Sequence, residues 1–223
     1  VAYILNIETS TTNCSVSLSN KGETLVLKED YGNGYSHAEK LHVYIEEVLK
    51  EAKMTADQLD AIAVSKGPGS YTGLRIGVSA AKGLSYALEK PLVSVSTLEA
   101  LAHQIKAESG YIIPMLDARR LEVYSAIFDE NYNLVRAIEA QVLDENSFEK
   151  ELALGKVYFV GDGVEKTTKL ISHKNAVFVE NKLPSADQMS LLSFNKYKKS
   201  DIEDVAYFEP YYLKDFVAIK SKK

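Results

Sequence analysis

Polar and apolar residues alternate through YILNIE, and the run ends in TSTTN, a cluster of turn formers. The pattern predicts a strand, roughly Ala2 to Glu8, and a hairpin turn. CSVSLSN alternates again, with Val16 and Leu18 on one face, and predicts a second strand. GETLVLKEDY, after Asn20-Lys21-Gly22, predicts a third. Ser36 followed by Glu39 has the spacing of a capping box. Leu41, Ile45, Val48, Leu49 and Ala52 then carry an apolar stripe at helical spacing to about Lys53. DAIAVSKG predicts a buried strand, and the segment after it a long helix to about Leu88. PLVSVS predicts a strand, and TLEALAHQIKA a helix capped by Ser96 or Thr97.

The order then restarts. YIIPMLDA, LEVYSAIFD and NLVRAIEAQVLD predict three strands, and ENSFEKELAL a short helix. KVYFVGDG and NAVFVEN predict strands, each followed by a helix, VEKTTKLISH and ADQMSLLSFNKY. Both halves read β-β-β-α-β-α-β-α, a duplication of element order rather than of residues. An acid closes each first strand, Glu8 in one half and Asp117 in the other. This α/β order resembles the two-lobed fold shared by actin, Hsp70 and the sugar kinases (ASKHA). The lobes divide at KAESG, giving residues 1–107 and 108–223. The aromatic stretch YFEPYYLKDF is expected to pack.

Composition narrows the function. The chain has 223 residues, 46% of them hydrophobic, enough for a proper core. A net charge of −5 argues against an autonomous nucleic-acid binder. The single cysteine, Cys14, excludes an internal disulfide and a multi-cysteine zinc site. No basic leader and no apolar run of membrane-spanning length is present, so a cytoplasmic, membrane-free protein is expected.

The most unusual stretch is KGPGSYTGLRIG, with four glycines in twelve residues. A P-loop would need Lys and Ser or Thr after its last glycine, whereas Gly73 precedes Leu74 and Arg75. Ser70 instead suits the N-cap of the following helix. Arg75 and Lys82 are the only charges from Gly67 to Leu88. Gly73, Gly77 and Ala81 form one small-residue ridge, and Ala80, Gly83 and Ala87 another. Interior glycines cost about 0.5–1 kcal/mol each relative to Ala, so close packing of another element is expected here. A neighbouring helix of the same lobe or a second subunit would supply it.

KGPGSYTGLRIGVSAAKGLS is very similar to the signature of the TsaB (YeaZ) family. ILNIETST, HAEKL, LDARRLEVY, GDGVEK and EPYYLKD match further family landmarks along the whole chain, although Glu8 stands where Asp is usual. The resemblance implies a non-catalytic dimerisation subunit of the bacterial tRNA threonylcarbamoyladenosine machinery. Such a subunit pairs with the catalytic paralogue TsaD and works with the ATPase TsaE. It is required for threonylcarbamoyl transfer to the adenosine next to the anticodon of tRNAs reading ANN codons, and meets tRNA only indirectly. The expected contact ridge, for partner or homodimer, is Tyr71, Gly73, Ile76, Gly77, Ala80, Gly83 and Leu84. Gly77→Leu is then expected to abolish pairing and spare the fold.

The same resemblance implies a vestigial nucleotide cleft at Glu8, Thr9, Asp117, Arg119, Gly161, Asp162 and Gly163, and no cofactor. Its first hairpin has no glycine, and the second carries Arg119, so side chains would crowd a phosphate chain. Asp117 is expected to anchor Arg119 or Arg120. Gly161-Asp162-Gly163 reads equally as an ordinary strand-to-helix turn. His37 and His42 lie five apart, about 140° around a helix, and cannot clamp one metal ion. No G-x-S-x-G elbow supports a serine hydrolase. An independent kinase-like phosphotransferase is the alternative reading. Lys220, Lys222 and Lys223 read as a solvated basic end.

Overall fold

The computed structural model describes residues 1–31 and 37–214. The capping box at Ser36 and the lysines near the C-terminus lie outside the described residues. The first half runs β1 (Tyr3–Glu8), β2 (Cys14–Asn20), β3 (Glu23–Asp30), α1 (His37–Glu51), β4 (Ala61–Gly67), α2 (Tyr71–Leu88), β5 (Leu92–Ser96) and α3 (Thr97–Ala102). The second runs β6 (Tyr111–Asp117), β7 (Glu122–Asp129), β8 (Leu134–Val142), α4 (Glu149–Leu154), β9 (Val157–Val160), α5 (Val164–Thr167), β10 (Ala176–Val179) and α6 (Ala186–Lys198).

Each half builds one five-stranded sheet, ordered β3-β2-β1-β4-β5 and β8-β7-β6-β9-β10. The two orders superpose strand for strand, so the duplicated order of the sequence is a duplicated topology. In each sheet the leading hairpins are antiparallel and the crossover strands parallel. Two expected helices are shorter than their apolar patterns. α3 stops at Ala102, and α5 is a single turn ending at Thr167.

Alternation assigns each strand two faces. Leu5, Ile7, Val16 and Leu18 point to one side of the first sheet and pack with Leu41, Ile45 and Val48 of α1 and Val78 and Ala81 of α2. Ile4, Ala61, Ala63 and Val93 point to the other side and pack with Met189, Leu192 and Phe194 of α6. Helix α6 belongs by sequence to the second half, yet it covers the first sheet. In return, Leu98, Leu101 and Ala102 of α3 pack with Ile112, Leu116 and Phe128 of the second sheet. This exchange of helices ties the two halves together and leaves a cleft on one side of the seam.

Candidate functional site

The glycine-rich stretch forms the turn from β4 into α2. Ser70 caps the helix, accepting from the Gly73 amide at 3.3 Å. Its own amide donates to the Ser10 carbonyl at 2.6 Å, and Gly69 stacks its backbone on that same carbonyl. The turn therefore lies directly on the β1–β2 hairpin. Farther along, the Thr9 hydroxyl donates to the Gly73 carbonyl at 2.8 Å. A Cβ on Gly73 would collide with the Thr9 carbonyl, and one on Gly77 with the Thr9 hydroxyl. Both glycines are buried, so they serve packing within the chain. This corrects the expected contact ridge: Gly73 and Gly77 belong to its inner side. It also corrects the expectation for Gly77→Leu, which would strike Thr9 and cost the fold itself.

Helix α2 is not buried all round. Thr72, Arg75, Ser79, Gly83 and Tyr86 form an exposed stripe at spacings of three or four residues. Ile76, Ala80 and Leu84 are half-buried along its edge, toward α1. Gly83 has no atom within 4 Å of where a Cβ would stand. Tyr86 is 82% exposed. Tyr71, at the helix start, stacks on Tyr212 with centroids 4.7 Å apart, and the Arg75 guanidinium lies 5.4 Å from its ring centre. The sequence reading passed over Ser79 and Tyr86, although Tyr86 stands one turn beyond Gly83 and was reachable by periodicity.

The cleft between the halves has a volume of about 690 Å³. Asp117, Arg119 and Asp162 line it, as the sequence suggested. Glu8, Thr9, Gly161 and Gly163 do not: all four are buried beneath its walls. Gly161, at φ +117°, lies against the Met115 carbonyl, and Gly163 against the Met115 and Val123 side chains. Both glycines make room for β6 and β7, as suits the strand-to-helix turn reading. Asp117 does not anchor an arginine side chain. It pairs with Lys166 at 3.1 Å and accepts the backbone amide of Arg119 at 2.6 Å. Asp162 accepts the Asp117 amide at 2.8 Å. It is exposed on one side and walled by protein on the other, and desolvation raises its carboxyl above the ordinary aspartate range, with the charge of Asp117 adding to the rise. Arg120 lines the cleft as well, as do residues the sequence reading did not place there, among them Ser10, Thr11 and Thr12 of the β1–β2 turn, Tyr124, and the pair Tyr211 and Tyr212. The segment bearing the last two crosses the cleft mouth: the Tyr211 amide donates to the Lys66 carbonyl at 2.7 Å, and Lys214 pairs with Glu122.

Glu8 ends β1 in full burial. Desolvation pushes its carboxyl up, partly offset by hydrogen bonds from Ser10, Ser65 and the Thr9 backbone. A carboxyl held in this way favours its neutral form. His37 is buried, with Nε2 2.6 Å from the Thr11 carbonyl. Burial lowers its pKa. His42 is exposed and on another side of α1. Among the described residues no three His, Cys, Asp or Glu side chains converge as metal ligands. No helix among them is long and apolar enough to cross a membrane.

Residues 33–221 match the family model described as TsaD, tRNA N6-adenosine threonylcarbamoyltransferase. The tRNA threonylcarbamoyladenosine biosynthesis protein TsaB of Escherichia coli K12 is 30% identical, over 97% of this chain and 96% of its own. The Haemophilus influenzae protein of the same name is 29% identical, over 97% and 95%. The solved structure of YeaZ from Pseudomonas aeruginosa superposes with a TM-score of 0.83 at 26% identity, covering 96% of this chain and all of that one. The fold is the two-lobed α/β fold of actin, Hsp70 and the sugar kinases. With a family model across most of its length and a relative 30% identical end to end, the chain belongs to the TsaB family of tRNA threonylcarbamoyladenosine biosynthesis proteins.

Proposed function

We propose that this chain is a non-catalytic subunit that positions a TsaD-like catalytic paralogue, together with a TsaE-like ATPase, for threonylcarbamoyl transfer. The product adenosine lies beside the anticodon of tRNAs reading ANN codons, and the tRNA is held chiefly by the partner. The two repeats, 1–107 and 108–223, form its lobes, and the working compartment is the cytoplasm. The observation that carries this reading is the free face of α2, an exposed stripe on which Gly83 has open space before it while the opposite side of the helix is packed. A glycine in mid-helix with no neighbour of its own is explained by an element that arrives from another chain. Ile76, Ala80, Gly83 and Leu84 border the contact, with Tyr71 at its rim and Tyr86 at its far end. In isolation the same face would pair two copies about a two-fold axis.

The cleft supports the non-catalytic half of the reading. The β1–β2 hairpin, which holds phosphates in kinases of this fold, lies under the 67–73 turn. Its Ser10 amide is spent on Glu8 at 2.6 Å. This weighs against the alternative, an independent phosphotransferase.

The test is threonylcarbamoyl transfer to tRNA by the catalytic partner and its ATPase, with and without this chain. We expect activity only with the chain, and its loss with Gly83→Arg, which meets nothing within its own fold. Transfer that is unchanged without the chain sinks the subunit reading. Transfer and self-pairing that survive Gly83→Arg, with the chain required, sink only the assignment of the face.

A further inference from the structure

Arg119 and Arg120 stand at the tip of the β6–β7 hairpin, and both have left-handed backbone, φ 72° and 52°. They are the only consecutive non-glycine pair in that region of φ among the described residues. Left-handed backbone is unfavourable for a residue with a Cβ, and Asn and Gly are the usual occupants of such tips. The hairpin nevertheless uses two arginines, and Asp117 fixes the bend by accepting the Arg119 amide. Both residues are exposed and line the cleft. Neither guanidinium makes an ion pair or hydrogen bond with a described residue. The neighbouring charges are already matched: Lys166 with Asp117, and Lys214 with Glu122. The third acid, Asp162, has its carboxyl pushed toward the neutral form by desolvation. Tyr124, on the same β6–β7 hairpin, and Tyr211 and Tyr212 of the C-terminal segment also line the cleft.

We infer that the Arg119–Arg120 tip and this tyrosine-lined cleft form a binding site for an unpaired nucleotide of RNA, with phosphates on the guanidiniums and a base among the rings. Guanidiniums bind phosphate oxygens in a planar, bidentate way, and tyrosine faces accept any base. The arginines stand on the lip rather than the floor. That geometry suits a strand passing over the mouth and dipping one residue into it. A free triphosphate would need amides of the β1–β2 hairpin, which borders the cleft through Ser10, Thr11 and Thr12 but has its Ser10 amide spent on Glu8. The net charge of −5 is no obstacle, because two unpaired cations on one lip set the local field. The choice of RNA rests on the functional reading above, and the site adds a direct RNA contact to it.

Fluorescence anisotropy of the full chain tests the site with three probes: a labelled tRNA anticodon stem-loop, a fully duplexed RNA of equal length, and ADP as competitor. We expect the stem-loop to bind and the duplex to bind at least about tenfold more weakly, since unpaired bases carry the stacking. Arg119→Asn with Arg120→Asn should weaken stem-loop binding at least about tenfold and flatten its salt dependence by about one to two phosphate contacts. Its thermal midpoint should not fall, because Asn tolerates the left-handed bend. Arg119→Lys with Arg120→Lys should recover part of the binding. Equal binding by the Asn variant, or no stem-loop binding by the natural chain, overturns the site. Displacement by ADP at equal affinity assigns it to free nucleotides and overturns the RNA claim. Failure of the subunit reading shows differently, as threonylcarbamoyl transfer that proceeds without the chain.

Discussion

On one face of β1 and β2, Leu5, Ile7, Val16 and Leu18 meet the apolar stripes of α1 and α2. On the other, Asn6, Ser15, Ser17 and Ser19 are equally buried, under α6. There the contact is a seam of hydroxyls. Ser17 donates to the Ala186 carbonyl at 2.8 Å, Ser15 accepts the Ala186 amide at 3.0 Å, and Ser193 donates to the Asn6 side chain at 2.6 Å. Thr24 and Ser190 complete it at 2.8 Å. The first face is closed by area, which is non-directional and tolerant of detail. The second adds to the apolar contact of Ile4 with α6 a set of hydrogen bonds, each worth about 0.5–1.5 kcal/mol net but costly when a partner is lost. The contrast teaches that CSVSLSN, a strand with one greasy and one polar face, need not turn the polar face to water.

The sharpest test of the apolar side acts where it is tightest. Gly73→Leu should cost more than about 4 kcal/mol in urea unfolding, because the new side chain meets the main chain at Thr9. Gly77→Ala should cost less, and Thr9→Ala should rescue it, since only the Thr9 hydroxyl lies closer than 3.4 Å to the new methyl. The same Thr9→Ala should not rescue Gly73→Ala. A rescue of both would mean that the helix, and not the hairpin backbone, yields.

Next in size is the polar seam. Asn6 joins Ser17, Ser19 and Ser193, so Asn6→Ala removes three buried hydrogen bonds, although each hydroxyl keeps a second partner, and should cost about 1–3 kcal/mol. Amide exchange should accelerate in α6 well before α2. Equal acceleration in both helices would erase the distinction between the two faces.

Glu8 gives a smaller effect with a definite sign. Its folded pKa is raised above the ordinary 4.5, so the native state binds its proton more tightly than the unfolded chain. That stabilisation is complete below the ordinary value and is lost as pH rises through the folded one. Glu8→Gln should therefore raise the unfolding midpoint at pH 7, by about 2–4 °C per kcal/mol relieved. At pH 4 the variant and the natural chain should unfold together. A midpoint that falls at pH 7 would show that the carboxylate is held by a charge rather than pushed up by burial.

The smallest expected change is Gly83→Ala. With nothing within 4 Å, the methyl should stabilise the isolated chain by about 0.5–1 kcal/mol. A loss of stability would place an unnoticed neighbour against the free face of α2.

Strand and helix order, the duplication and the Ser70 cap were all legible, because each rests on local periodicity or on one side chain bonding to a nearby amide. The glycine signature also marked the right segment. It did not say which glycines face inward. Gly73 and Gly77 are four apart, as are Ile76 and Ala80, and only the position of Thr9 tells the two ridges apart. Asp117 and Arg119 were placed at the cleft correctly. Their side-chain pairing was not, because Lys166 reaches Asp117 from a helix 49 residues on in the chain.

The sequence by itself determined the elements, their doubled order and the absence of a phosphate-binding glycine motif, since these depend on neighbours along the chain. The tertiary structure alone decided that α3 and α6 change places, that the five serines and the asparagine of the seam become core, and that only one stripe of α2 remains open. These are contacts between residues up to 187 positions apart, as at Asn6 and Ser193. Local propensity carries no information about such partners. A buried polar group is tolerated only where the fold brings it another one.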